Sequence, residues 1–118
     1  MKASMYACIA LSKERADLVS QISLGDLTGA PVLQGSRISI SSELVEIEFG
    51  DLGEAIYEYC SSLTLPDLRS YASDLFAYVQ VVPMLGPADD SRVFLCPELL
   101  SLLAEKGFGL DIHGQDSI

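Results

Sequence analysis

Histidine is almost absent from this 118-residue chain: His113 is the single one. One imidazole excludes a His-rich metal centre within the chain. Cysteine is nearly as scarce. Cys8, Cys60 and Cys96 are odd in number and widely spaced, with no Cys-x-x-Cys. That pattern describes neither a disulfide framework nor a zinc site, and it points to a reducing, cytoplasmic setting. Positive charge is short too. Seven Lys and Arg face 17 Asp and Glu, for a net charge of −10. The chain therefore lacks the basic footprint that DNA, RNA or an anionic membrane requires. No segment approaches the ~20 consecutive apolar residues that cross a bilayer. The apolar start, Met1 to Ser12, is short, and Lys13-Glu14-Arg15 follows at once, so it reads as part of the fold and not as a secretory signal. Phosphate-cradling glycine motifs and a Gly-x-Ser-x-Gly nucleophile elbow are missing. No cofactor and no metal are expected.

What is present is enough for a core. Hydrophobic residues make up 49% of the chain, and its mean hydropathy is +0.32. One domain spanning residues 1–118 is expected, with apolar surface left over for a partner or for a second copy of the chain, as in a homodimer.

The best-patterned stretch runs from Arg92 to His113 and reads as strand, helix, strand. Pro97 suits a first helical position, and Glu98 places negative charge where the helix dipole favours it. Leu99, Leu102 and Leu103 share a face. Gly107 suits a left-handed stop, with Phe108 folding back on Leu103. Phe108, Leu110 and Ile112 then alternate with polar or small residues.

Earlier in the chain, Ala3 to Leu11 reads as a buried strand. Ser12 caps a helix from Lys13 to Ser23. Asp26 to Ser36 is a loop with a short extended piece at Val32-Leu33. Arg37–Ser41 and Val45–Phe49 alternate as strands, and the break at Ser42-Glu43 suggests a hairpin. Asp51 and Glu54 have capping-box spacing ahead of a helix through Leu63. Pro66 opens a turn or two of helix up to Tyr71. Leu75–Met84, apolar at both parities, reads as a central strand covered on both sides, with Pro83 marking an unpaired far end. Gly86–Ser91 is an exposed turn. The predicted class is α+β: ferredoxin-like strand-helix-strand-strand-helix-strand order, extended by the terminal strand-helix-strand unit, in a mostly antiparallel sheet with helices on it.

The terminal stretch Phe94–Ile112, with its Pro97-Glu98-Leu99-Leu100 helix start and Gly107 stop, resembles the C-terminal signature of a bacterial family called domain of unknown function 4279. An early strand leading into an acidic helix start, here Tyr6 to Glu14, is similar to that family as well. The resemblance implies a small α+β domain and brings no activity and no catalytic residue.

Two clusters carry chemistry. Cys96 precedes a helix N-terminus, where a thiolate is favoured, and His113 ends the next strand and is the base that would serve it. This pair defines one alternative, a small enzyme or ligand-sensing domain with a pocket beside Cys96 and His113; the plainer reading is a cap and a surface residue. The second cluster is acidic. Between Arg37 and Arg69 there is no Lys or Arg, while Glu43, Glu46, Glu48, Asp51, Glu54, Glu58 and Asp67 occur. Glu46 and Glu48 share a strand face, and Glu54 and Glu58 stand one helical turn apart. Unneutralised carboxylates this close repel one another, and a basic partner relieves the repulsion and is steered in. Tyr57, with Tyr71, lies close by in sequence as an anchor. A charged edge that blocks sheet-to-sheet aggregation explains the same acids without a partner. The leading expectation is a non-enzymatic acidic binding domain, in its most concrete form an immunity-type inhibitor masking a basic toxin or nuclease. Its partner-binding residues would be Glu43, Glu46, Glu48, Asp51, Glu54, Glu58 and Tyr57. A self-associating structural domain is a further alternative.

Overall fold

Every second residue of the first strand is apolar and fully enclosed: Ala3, Met5, Ala7, Ile9 and Leu11. This strand organises the rest. The structure, a computed structural model, describes residues 1–85 and 93–116. In chain order its elements are β1 (Lys2–Ser12), α1 (Leu18–Gln21), β2 (Val32–Gln34), β3 (Arg37–Ser41), β4 (Val45–Glu48), α2 (Leu52–Ser62), β5 (Leu75–Leu85), α3 (Pro97–Lys106), β6 (Gly109–Ile112) and β7 (Gln115–Asp116), with 3-10 turns at Lys13–Arg15 and Arg69–Tyr71. The sheet order is β2-β3-β1-β5-β6. β4 continues along β1 where β3 stops, and β7 continues along β5 beyond β6. All pairings are antiparallel except those of β6 and β7 with β5. The molecule is thus an α+β fold with a mostly antiparallel sheet and helices packed on it.

The predicted hairpin between Arg37–Ser41 and Val45–Phe49 is not formed. Both segments run antiparallel to β1, one after the other: Ser41 faces Cys8 and Val45 faces Met5. Three residues, Ser42 to Leu44, therefore oppose two, Tyr6 and Ala7, which is a β-bulge. The physical reason lies in parity. Ile38 and Ile40 are even-numbered and Val45 and Ile47 are odd. A bulge switches parity without reversing the chain, so both pairs point to the same covered face. Ser42 N–H donates to the Ala7 carbonyl at 2.8 Å, and Ala7 N–H donates to Ser42 Oγ at 2.9 Å. The hydroxyl thus stands in for the carbonyl that an unbulged ladder would supply. The true hairpin is β2–β3, turning at Gly35-Ser36 with Gly35 at φ 62°, the Gly-first pattern of a two-residue loop.

Four other expectations are corrected. The helix foreseen over Lys13–Ser23 is a 3-10 turn followed by the single turn of α1. Ser20 Oγ donates to Asp17 O at 2.9 Å and Gln21 Nε2 to Asp17 Oδ2 at 3.4 Å, local bonds that compete with helix propagation. Val93–Cys96 forms no strand; the parallel strand-helix-strand unit is β5-α3-β6, with the long β5 as its first strand. And among the described residues β5 is covered on one face only. Ala77, Val79, Val81 and Pro83 are buried, but Phe76 is 62% exposed, because its even-numbered apolar residues face away from the helices. Nor is the far end of β5 unpaired, since Pro83 lies opposite Ala3 and Met84 opposite Lys2. The missing proline N–H coincides with the gap between β6 and β7, whose registers on β5 end at Val81 and resume at Met84. The expected Gly86–Ser91 turn, and Arg92, lie outside the described residues.

Helix ends follow local chemistry. Asp51 Oδ1 accepts Glu54 N–H at 3.1 Å and caps α2. α3 starts on Pro97 and ends on Gly107 at φ 77°. There, Gly107 N–H reaches Ala104 O and Phe108 N–H reaches Leu103 O, a Schellman stop. Leu52, Ile56 and Tyr59 of α2 join Leu99 and Leu103 of α3 and the odd-numbered side chains of β1 in one core.

Candidate functional site

The bulge places a cleft at one edge of the sheet. β2 covers the outer edge of β3 up to Ser39, and Gly29 N–H donates to Ser41 O at 2.9 Å. Past the bulge, β4 has β1 on its inner side and no strand on its outer side among the described residues. There a cleft of about 510 Å3 opens between β4, α2 and the loop from Asp26 to Thr28. Its floor is apolar, from Val45, Ile47, Ala55 and Leu63, and its walls carry the carboxylates of Asp26, Glu43 and Glu58 with the hydroxyls of Ser42 and Tyr59. No Lys, Arg or His among the described residues lines it. The ion pairs of the described residues are Arg15 with Asp17 and Asp74, and Arg69 with Asp67. None neutralises a cleft acid.

Long-range contacts hold this geometry. Asp26 Oδ2 accepts Thr64 N–H at 2.6 Å, and Asp26 N–H donates to Thr64 O at 2.9 Å. The loop is thereby clamped to the end of α2. Gly25, at φ 57°, lets the Thr64 carbonyl approach where a Cβ would sit. Tyr59 OH lies 3.4 Å from Ser42 Oγ. Burial pushes the Tyr59 phenol above its ordinary value, with the Ser42 contact pulling the other way, so Tyr59 stays neutral at physiological pH.

The acids named from the sequence do not form one surface. Glu43 and Glu58 meet in the cleft, joined by Asp26. Glu46 and Glu48 sit opposite Ser4 and Lys2 of β1, so they flank the same edge from the bare face of the sheet, away from the helices. Asp51 is engaged as the α2 cap and Glu54 lies in the first turn above it. Tyr57 is half-buried and lies with Pro97 and Ser101 in a shallow groove between α2 and α3, away from the cleft. Asp67 is paired: Arg69 donates to it at 2.7 Å, and this partner holds its carboxyl well below the usual range, at about 2.

Asp26, Ser42 and Tyr59 were missed from sequence. The parity switch between Ile40 and Val45 is the signal that marks Ser42; nothing local marks Asp26. Cys96 is half-buried, precedes α3 without making a side-chain cap bond and packs against the core. His113 is exposed, one step beyond core-packed Ile112 and so turned toward the other face of the sheet. Neither lines the cleft. Cys8 and Cys60 are buried, and burial raises the Cys60 thiol to about 12. No group of three or more metal-ligating side chains converges among the described residues. No helix among them is long and apolar enough to cross a membrane. Comparison of the chain with protein-family models, with curated proteins and with solved structures finds no match.

Proposed function

We propose that this chain is a non-enzymatic binding domain that takes a cationic segment of another protein into the cleft between β4 and α2. In its most concrete form it is an immunity-type inhibitor that masks a basic toxin or nuclease. One observation carries the reading: an apolar floor ringed by Asp26, Glu43 and Glu58, with no basic side chain among the described residues to neutralise them. A segment that carries both apolar and cationic side chains suits this arrangement, the apolar ones lying on Val45 and Ile47 and the Lys or Arg heads gathering at the surrounding carboxylates. The net charge of −10 adds long-range attraction for such a partner. Three free thiols suit a reducing cytoplasm. The resemblance of Phe94–Ile112 to domain of unknown function 4279 belongs with this proposal and adds no activity to it.

The test is titration of a blocked peptide of alternating Lys and Val by calorimetry. The expected result is binding that weakens steeply toward about 1 M salt, where the Debye length is ~3 Å, and that falls about tenfold in the Glu43→Gln, Glu58→Gln double variant. Affinity indifferent to both salt and the double substitution would remove the electrostatic basis of the reading.

A further inference from the structure

Resting on that reading, we infer that the cationic segment is bound as an added β-strand along the outer edge of β4. Backbone direction is the starting point. Phe49 N–H donates to Met1 O and Ser42 N–H to Ala7 O, so the odd residues of β1 turn their amide groups toward β3 and β4. In an antiparallel ladder these groups alternate in direction. Val45 and Ile47 therefore spend theirs on Met5 and Ala3, their register partners. Glu46 and Glu48 aim an N–H and a C=O each toward the outer edge. Among the described residues no backbone group bonds to them there. On β3 the bulge has switched the parity, and there outward-facing Ser41 is already met by Gly29 and Ser39 by β2. The edge is covered as far as the bulge and open beyond it.

An unpaired edge is a template for another strand, and here the side chains say which kind. Residues of an added strand that pair with Glu46 and Glu48 lie on the bare face beside two carboxylates. Residues that pair with Val45 and Ile47 point into the apolar cleft. Leu44, at the start of the open edge, is 59% exposed. The complementary segment alternates cationic and apolar residues. Backbone bonds then supply affinity and the alternate side chains specificity, as in other strand-addition complexes. A second copy of this chain is a poor occupant in this respect: β4 against β4 would bring glutamates face to face.

Amide hydrogen exchange on the intact protein tests this, with the alternating Lys/Val peptide as probe. The peptide is expected to slow exchange at Glu46 and Glu48 about tenfold or more, leaving Val45 and Ile47, already bonded to β1, unchanged. A Glu46→Pro variant, which removes the outward N–H together with the charge, is expected to bind about tenfold more weakly than Glu46→Gln, which removes the charge alone. Salt-sensitive binding without protection at Glu46 and Glu48, and equal affinities of the two variants, would overturn strand addition while leaving the cationic-partner reading intact. No binding at any salt would overturn both. Protection at Glu46 and Glu48 that rises with protein concentration alone would assign the edge to a second copy and overturn the inference.

Discussion

Ser42→Ala is the most informative single substitution, because it removes one oxygen atom from the bulge. In the native fold Ala7 N–H donates to Ser42 Oγ at 2.9 Å across a sequence separation of 35. Ala7 is fully enclosed, and Ser42 is the buried polar residue of the described core. Without the hydroxyl, Ala7 N–H loses the acceptor that the fold supplies. Leaving a buried donor unpaired costs about 1–3 kcal/mol. The Tyr59 contact at 3.4 Å is long and adds little. A loss of about 2 kcal/mol is therefore expected, a large share of the ~5–15 kcal/mol that holds a typical domain together. Urea unfolding followed by circular dichroism reads it directly. With a slope of about 2 kcal/mol per molar urea, the midpoint falls by roughly 1 M while the slope stays constant. A loss below about 0.5 kcal/mol at constant slope would mean that the hydroxyl does not close the ladder at the bulge.

Gly53→Ala gains about 1 kcal/mol of helix propensity on paper, yet a Cβ there runs into the Phe94 carbonyl oxygen. Net destabilisation, seen as a lower thermal midpoint, is expected, and a higher midpoint would show that the Val93–Cys96 segment moves aside freely. At alkaline pH the protein is expected to lose stability. Cys60 is raised to about 12 by burial, while the unfolded chain's thiol ionises near ~8.5. The unfolded state thus releases its proton first, and stability falls through the window between the two values, on the order of a kcal/mol per pH unit. Tyr6, Tyr59 and Tyr78 are raised as well and act in the same direction. Urea midpoints between about pH 9 and 11 check this, and an unchanged slope against pH in Cys60→Ala would refute the role given to the thiol.

Much of this architecture is readable without coordinates, and the readable parts have something in common. Asp51, Pro97 and Gly107 mark helix ends because caps are made within about four residues along the chain. β1 declares itself because a run of apolar, β-forming residues is a property of one strand. The first helix is shorter than its pattern suggests for a related reason: Leu18, Val19 and Ile22 supply a helical stripe, but Asp17, Ser20 and Gln21 tie up the backbone and side-chain groups around them. The even-numbered apolar residues of β5 suggested a second covering layer, although residue type alone does not say whether a layer exists to cover them.

The sequence by itself determined the α+β class, the places where α2 and α3 start and stop, and the excess of unneutralised carboxylate, since each depends on residue identity over a few neighbours. Tertiary structure alone decided that β3 and β4 lie end to end along β1, that Glu46 and Glu48 part company with Glu43 and Glu58, and that Asp26 joins the latter. A strand's hydrophobic face is the same whether the chain reverses after it or bulges and runs on. Only the partner across the ladder distinguishes the two, and the bonds that do so here, Ala7 to Ser42 and Asp26 to Thr64, span 35 and 38 residues.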